Sequence, residues 1–448
     1  MKTLFFGTAL ALSVLFVHPC IAAESKQLSE LKPEELKDVY FICKTNKSPL
    51  SYQPGEEMVY TITLHTGKDK PGNWTFSYIR QGDDNKKFSG TAPADKPLVI
   101  KTSLDKPGFV SINVHLRDAK NKAVYYQYVH ANGRTYKRNV SAFCGTAVQP
   151  EKLTDCGEPA DFDEFWAKQK KRLAEVPFAG KVQKKLVRET ENGYVYSLSI
   201  PCVAPRPATG YMTIPKNAKA KSLPLQFSFF GYSASRQGIP NPVNGKIAFY
   251  INAHGQELGR EPEYYTKFFQ SIRTEKYSYA FDPEENKNPE TAFFNGMALR
   301  NLRAMEYAKT LPEWNGKDLT VQGGSQGGLQ TMWAVALDPD VTVAKPSITW
   351  CCDLAGTEKK QRLSGGWRIK YVSGLDYYDP VFMAKRVKKA EVIITRAGLG
   401  DYVCPPSGLA ISYLNLATPN KTIHWYQNSS HGYVQPNPEI ITWTTKKK

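Results

Sequence analysis

The sequence is poor in features that bind metals, form repeats or cross membranes. Its 448 residues include 8 cysteines and 7 histidines, yet they form no Cys-x-x-Cys pair and no histidine spacing suited to zinc. No segment repeats at a fixed period, which excludes a solenoid or a propeller. Beyond the N-terminal residues, no apolar run approaches the roughly 20 residues that span a bilayer. We therefore expect no metal and no membrane span.

Acidic residues are also in deficit. The 42 aspartates and glutamates face 59 lysines and arginines, which gives a formal net charge of +17. Such a charge favours acidic partners, including uronic-acid polysaccharides, anionic envelopes and nucleic acids. No nucleic-acid-binding motif accompanies the charge, so we expect no nucleic-acid partner. The simplest interpretation is a solvated basic surface.

The first residues have the pattern of an export signal. Lys2 precedes an apolar stretch from Leu4 to Val17, and Cys20-Ile21-Ala22 supplies small residues for cleavage. We predict a signal peptide over residues 1–23 and a secreted or periplasmic protein. A lipoprotein anchored at Cys20 is the alternative, which His18-Pro19 disfavours.

Export permits disulfides among the cysteines that remain. Seven are left after Cys20, an odd number, so at least one is unpaired within the chain. A bridge between Cys43 and Cys144 is plausible, because they lie near the two ends of the first folded region. The remaining cysteines are Cys156, Cys202, Cys351, Cys352 and Cys404.

The region before residue 149 has the pattern of an antiparallel β-domain. Short runs of alternating apolar and polar residues are separated by turn formers such as Pro71-Gly72-Asn73. About seven strands within a hundred residues are typical of an immunoglobulin-like sandwich, which we predict over residues 24–148. No catalytic constellation lies in it. The clearest strands are Met58–Leu64, Trp74–Ile79, Val110–Leu116 and Val124–Val129.

From residue 149 to 448 the pattern predicts alternating helices and strands. A helix begins near Asp161, and another, capped by Asn288, precedes the third strand. Short apolar runs are typical of buried parallel strands, so we expect a three-layer α/β domain with helices on both faces. The predicted strands are Leu225–Phe230, Ile247–Asn252, Leu319–Gln322, Ile348–Cys352, Val392–Thr395 and Thr422–Tyr426.

The motif Gly323-Gly324-Ser325-Gln326-Gly327 fits the nucleophile elbow G-x-S-x-G. The motif alone is weak, since a chain of this length contains it by chance roughly one time in eight. Its context is more specific, because a predicted strand leads into it and a predicted helix, Leu329–Leu337, follows it. A strained turn of this kind exposes the serine above the sheet, which makes Ser325 the candidate nucleophile.

A nucleophilic serine needs a histidine base and an acid that orients it. Of the two later histidines, His424 lies within a predicted strand and His431 in the loop after it, so His431 is favoured. Asp401 follows a strand at the sheet edge where α/β sites form, and it is favoured as the acid. Asp353 remains the rival acid, whereas Asp379 has the position of a helix cap.

The oxyanion of an acyl transfer needs two backbone N–H donors. The residue after the nucleophile, Gln326, supplies one of them. The loop after an earlier strand supplies the other, and Phe229-Phe230-Gly231-Tyr232 ends such a strand. We therefore predict that Tyr232 and Gln326 form the oxyanion hole.

Taken together, these segments resemble the acetyl xylan esterase and cephalosporin C deacetylase family of carbohydrate esterases. The resemblance implies an α/β-hydrolase fold, a triad of Ser325, Asp401 and His431, and an acetylated carbohydrate as substrate. It also implies a serine esterase that needs no cofactor. The family forms oligomers, and the added sandwich leaves open whether this chain does so too. The segments that carry it are Asp161–Trp166, Phe230–Tyr232, Gly323–Gly328, Gly398–Asp401, Cys404–Ser407 and His431.

Two positions depart from the family pattern. His254-Gly255-Gln256 stands where the family usually has Arg-Gly-Gln, and Gly432 stands where a glutamate tends to follow the histidine. The first change removes a bidentate, permanently charged donor and puts the partners of that loop in doubt. Two rival functions remain: a serine peptidase of the same fold, and an inactive carbohydrate-binding protein.

Overall fold

The computed structural model describes residues 40–65, 73–129, 135–203, 205–363, 366–435 and 438–445. The predicted signal peptide and the alternative anchor at Cys20 lie outside these residues. Within the described ranges, no helix combines the length and the apolar character that crossing a bilayer requires.

The N-terminal region forms two antiparallel sheets that enclose one core. One sheet has the strand order β1-β2-β5 and the other β4-β3-β6-β9, with β7 and β8 as a separate hairpin. A single buried cluster combines Tyr60 and Ile62 of the first sheet with Ile112 and Val114 of the second, so the sheets pack face to face. The strands are β1 Tyr40–Thr45, β2 Met58–His65, β3 Thr75–Gly82, β4 Lys87–Pro93, β5 Leu98–Thr102, β6 Gly108–Arg117, β7 Tyr125–Val129, β8 Thr135–Asn139 and β9 Ser141–Val148.

The rest of the described chain is an α/β unit around one ten-stranded sheet, in the order β10-β11-β12-β14-β13-β15-β16-β17-β18-β19. The central strands, β13 to β18, are parallel, whereas β10, β11, β12 and β19 pair antiparallel at the edges. The strands are β10 Gln183–Thr190, β11 Gly193–Ile200, β12 Ala208–Pro215, β13 Leu223–Phe229, β14 Ile247–Asn252, β15 Trp314–Gly324, β16 Val343–Ser347, β17 Glu391–Gly398, β18 Lys421–Tyr426 and β19 Ile440–Thr445.

One predicted strand was wrong. The chain from Ile348 to Cys352 is not a strand; it is the loop that follows β16. Ile348 and Cys351 have φ values of 39° and 61°, which are incompatible with extended backbone. Their side chains are buried nevertheless, so an apolar run was mistaken for a strand.

The helices pack with the sheet in one large hydrophobic cluster. The helix before β15 begins at Phe293 rather than after Asn288, so the predicted cap was wrong. Asn288 instead stabilises a preceding turn, where its Oδ1 accepts from the N–H of Glu290 at 3.0 Å. The helices are α1 Phe162–Ala174, α2 Pro262–Ser271, α3 Pro283–Asn286, α4 Phe293–Ala308, α5 Gln326–Leu337, α6 Gly356–Lys360, α7 Pro380–Met383 and α8 Pro406–Asn415.

The N-terminal sheets and the α/β unit are in direct contact. Phe109 of β6 and Ala147 of β9 belong to the hydrophobic cluster of the α/β unit. The Phe109 ring lies 5.6 Å from the Trp425 ring of β18, centroid to centroid. The N-terminal sheets therefore pack directly on the large sheet.

The bridge between Cys43 and Cys144 that their positions make plausible is not formed. All seven cysteines of the described chain are free thiols. Cys43 of β1 and Cys144 of β9 do face each other in the sandwich core. Burial and the adjacent Cys43 thiol raise the pKa of the Cys144 thiol well above its usual value, so it stays protonated.

Candidate active site

Ser325 occupies a strained turn between β15 and α5. Its backbone has φ 59° and ψ −121°, a region that residues other than glycine rarely adopt. The Ser325 N–H donates to the carbonyl of Ser347 at 3.0 Å, which fixes the turn against the end of β16. A Cβ on Gly327 would lie 2.3 Å from the carbonyl oxygen of Phe229, so only glycine fits where β13 crosses the turn. The strand–turn–helix geometry is that expected of a nucleophile elbow.

His431 lies between Ser325 and Asp401. Its Nε2 is 2.9 Å from Ser325 Oγ, and its Nδ1 is 3.1 Å from Asp401 Oδ2. The other carboxylate oxygen, Oδ1, accepts from the backbone N–H groups of Val403 and Cys404 at 2.8 and 2.9 Å. Because a carboxylate accepts hydrogen bonds, Nδ1 carries the proton and Nε2 is left to accept from the serine hydroxyl. Ser325, His431 and Asp401 are thus connected in that order by hydrogen bonds.

The rival histidine lies elsewhere in the sheet. His424 of β18 is partly exposed, and its Nδ1 is 2.9 Å from the hydroxyl of Thr442 on the edge strand β19. That contact is a cross-strand pair on the sheet surface. His424 therefore has a structural partner.

The rival acid is engaged in a buried ion pair. Asp353 pairs with the guanidinium of Arg362, and both side chains are almost fully buried. Burial raises the pKa of Asp353 to about 6, an effect that Arg362 only partly offsets. Asp379 accepts from the N–H of Val381 at the start of α7, as its predicted role as a helix cap requires.

The two predicted oxyanion donors lie on adjoining segments. Gln326 is the first residue of α5, where backbone N–H groups have no acceptor within the helix. Tyr232 follows Gly231, and a Cβ on Gly231 would lie 3.9 Å from the carbonyl oxygen of Gly324, which places this loop beside the elbow. The helix N-terminus also directs its positive end at the turn.

A cluster of aromatic rings adjoins Ser325. The Tyr232 ring stacks on Tyr279 at 4.1 Å and 9°, and it meets the edges or faces of Trp350 and Trp367 at 5.6 and 4.5 Å. The backbone N–H of Trp350 donates to the backbone carbonyl of Ser325 at 3.1 Å. Sequence reasoning identified only Tyr232 of this cluster, because the others come from three loops with no common spacing.

His254 supports the loop that carries Tyr232. Its Nε2 donates to the carbonyl of Ser233 at 3.0 Å, and Gln256 Nε2 donates to the carbonyl of Ser235 at 2.8 Å. Burial, and secondarily the positive charge of Arg300, lower the pKa of His254 to about 3, so the ring is neutral. The segment that departs from the family pattern thus holds the oxyanion loop with uncharged donors.

Only one group in the described chain combines three potential metal ligands at close range. It consists of Asp401, Cys404 and His431, whose ligand atoms lie within 4.8 Å of one another. Burial raises the pKa of the Cys404 thiol well above its usual value, so the thiolate that metals bind is disfavoured. Two of the three side chains are the histidine and acid already described.

The fold and this geometry define an α/β-hydrolase-type protein with a Ser-His-Asp arrangement. The family model of acetyl xylan esterase (AXE1) matches residues 152–359 and 368–447, well over half of the chain. The chain belongs to the acetyl xylan esterase family.

Individual relatives agree with this family. The chain is 28% identical over 297 residues to the acetyl esterase Axe7A of Xylanibacter ruminicola, a match that spans 62% of this chain and 66% of the relative. The chain thus spans slightly less than two-thirds of that relative's length.

Two solved structures share the fold. The acetyl xylan esterase of Paenibacillus sp. R4 has a TM-score of 0.53 at 24% identity, covering 63% of this chain and 93% of that one. Acetyl xylan esterase 1 of Thermoanaerobacterium sp. JW/SL YS485 has a TM-score of 0.53 at 19% identity, covering 63% and 92%.

Proposed function

We propose that the protein is a serine carboxylesterase that removes acetyl groups from carbohydrates, such as acetylated xylan or related oligosaccharides. The observation that supports this most is the 2.9 Å contact between Ser325 Oγ and His431 Nε2, with Asp401 on the far side of the ring. Membership of the acetyl xylan esterase family supports the choice of ester and of substrate class.

The reaction proceeds through an acetyl-enzyme. Ser325 Oγ attacks the acetyl carbonyl carbon while its proton passes to His431 Nε2, and Asp401 stabilises the imidazolium. The N–H groups of Tyr232 and Gln326 donate to the oxyanion of the tetrahedral intermediate. The intermediate collapses as His431 protonates the departing sugar oxygen. Water then attacks the acetyl-enzyme with His431 as base, and acetate leaves.

The aromatic cluster supports a sugar ester as substrate. The partly exposed rings of Tyr232 and Trp367 pack at 4.5 Å, and Tyr232 follows Gly231 beside the elbow, so they offer apolar surface that suits the acetyl methyl group or a sugar face. The positively charged chain, +17 overall, is compatible with polysaccharides that carry uronic acids.

The proposed organisation has three parts. Residues 1–23 are a cleaved signal peptide of a secreted or periplasmic protein, residues 24–148 an immunoglobulin-like sandwich, and residues 149–448 the esterase unit. The two packed antiparallel sheets support the sandwich assignment.

An activity screen tests this function. Purified protein is incubated with acetylated xylo-oligosaccharides and, separately, with peptide amides, and released acetate and amine are measured. We expect acetate release that Ser325→Ala abolishes, with no amine release. Amine release by the wild type would favour the serine peptidase. Sugar binding without hydrolysis would favour the inactive carbohydrate-binding protein.

A further inference from the structure

The loop that carries the histidine is held by the backbone of the N-terminal sandwich. Gln427 pairs with both backbone groups of Gly145: its Oε1 accepts from N–H at 2.9 Å and its Nε2 donates to the carbonyl at 2.7 Å. Asn428 Oδ1 accepts from the Phe143 N–H at 3.0 Å, and its Nδ2 donates to the Phe41 carbonyl at 3.1 Å. Both amide side chains are buried, so these four bonds replace water.

The loop that carries Asp401 packs so closely against the same strand, β9, that a side chain would not fit at two of the glycines. A Cβ on Gly145 would lie 2.1 Å from the carbonyl oxygen of Leu399. A Cβ on Gly400 would lie 2.2 Å from the carbonyl carbon of Phe143. The Phe143 ring stacks on Tyr402 at 5.9 Å. The residues on either side of the acid thus pack against two residues of the sandwich.

The two loops are also bonded to each other at this place. The Gly400 N–H donates to the Ser429 carbonyl at 3.1 Å, and the Leu399 N–H donates to the Tyr426 carbonyl at 2.9 Å. A displacement of β9 would therefore move both loops. Catalytic groups tolerate displacements of only about 0.5 Å, so small shifts of either loop matter for the reaction.

Strand β9 lies outside the part of the chain that matches the family, which begins at residue 152. The contacts with β9 are therefore additions to the family's matched unit. We infer that the sandwich strand β9, through Gly145 and Phe143, positions the loops of Asp401 and His431 for catalysis. This inference rests on the proposed triad and assigns the sandwich a role in the reaction besides any in substrate binding.

The test uses full-length variants that disturb this contact. Gly145→Ala introduces a methyl group 2.1 Å from the Leu399 oxygen, so the acid loop must move by roughly an ångström to restore normal contact. We expect kcat on an acetyl ester to fall about 10- to 100-fold, with KM within about twofold of wild type. Asn428→Gly removes two bonds to the sandwich and suits the φ of 54° at this position, and we expect a loss of about tenfold.

The matched control is on the same strand. Thr146 points into the sandwich core, where its hydroxyl is 2.5 Å from the Tyr60 hydroxyl and 2.9 Å from Met58 Sδ. Thr146→Val should lower the unfolding midpoint in urea and leave kcat unchanged. If kcat fell in proportion to the unfolding midpoint in all three variants, the sandwich would only stabilise the fold, and the inference would be overturned.

The same assay separates this inference from the proposed function. Wild type and Ser325→Ala are measured alongside the three variants. Unchanged kcat in both folded Gly145→Ala and Asn428→Gly, with a wild-type activity that needs Ser325, overturns the positioning role alone. If Gly145→Ala does not fold, Asn428→Gly decides. An inactive wild type, or an active Ser325→Ala, overturns the proposed function as well.

Discussion

Replacing Asp401 by asparagine reverses one hydrogen bond at the centre of the site. Oδ1 of Asp401 accepts from two backbone N–H groups, so an amide at this position keeps its oxygen there and directs its NH₂ group at His431 Nδ1. Nδ1 must then accept, and the ring proton moves to Nε2, which faces Ser325. In that tautomer the histidine cannot take the serine proton.

The expected loss follows from the wrong tautomer. Asp401→Asn should lower kcat about 10⁴-fold, by analogy with serine proteases, which is about 5 kcal/mol of transition-state stabilisation. The matched control is Asp353→Asn, which alters a carboxylate paired with Arg362 and should leave kcat within a few-fold of wild type. Initial rates on an acetyl ester and circular dichroism of both variants check this. Equal losses, or a larger loss in Asp353→Asn, would refute the reasoning.

Two further predictions concern stability and acyl size. Because His254 has a pKa of about 3 when folded, the unfolded chain binds a proton below pH 6.5 that the folded chain does not. The free energy of unfolding should therefore decrease as the pH is lowered below 6.5, and His254 alone should account for about 2 kcal/mol of the decrease at pH 5. Urea titrations of His254→Gln should show a decrease that is smaller by this amount. Acetyl esters should have higher kcat/KM than butyryl or longer esters, because the predicted oxyanion donor Tyr232 follows Gly231 beside the elbow and its ring packs against Trp367 at 4.5 Å, which leaves little room for a longer acyl chain. A rate that rises with chain length in a nitrophenyl ester series would contradict the acetylesterase proposal.

A strand that is buried on both faces was the easiest to predict, whereas the central strand Val343–Ser347 was missed. Ile247–Asn252 is buried throughout, and its apolar run gave the strand bounds without error. The edge strand Gln183–Thr190 is largely exposed and rich in lysine, so it carries no such signal. The run at Ile348 misled for the opposite reason, because buried loops are also apolar.

The residues of the candidate site also differ in how well the sequence predicts them. Ser325 was identifiable from local sequence, since the elbow is a contiguous motif whose glycines are required by close backbone approach. Asp401 and His431 were placed by chain order and loop position. Their support from Gly145 was not predictable, because residues more than 250 positions apart in sequence meet only in the folded chain. Backbone contacts of this kind leave no pattern in side-chain chemistry.

Covalent labelling of the nucleophile tests the central claim most directly. The wild-type protein and Ser325→Ala are treated with a fluorophosphonate ester, which reacts with activated serines, and analysed by intact mass and peptide mapping. We expect one phosphonyl group per wild-type chain, on the peptide that contains Ser325, and none on the folded variant. A label on another residue, or an equally labelled Ser325→Ala, would contradict the assignment of Ser325 as the nucleophile.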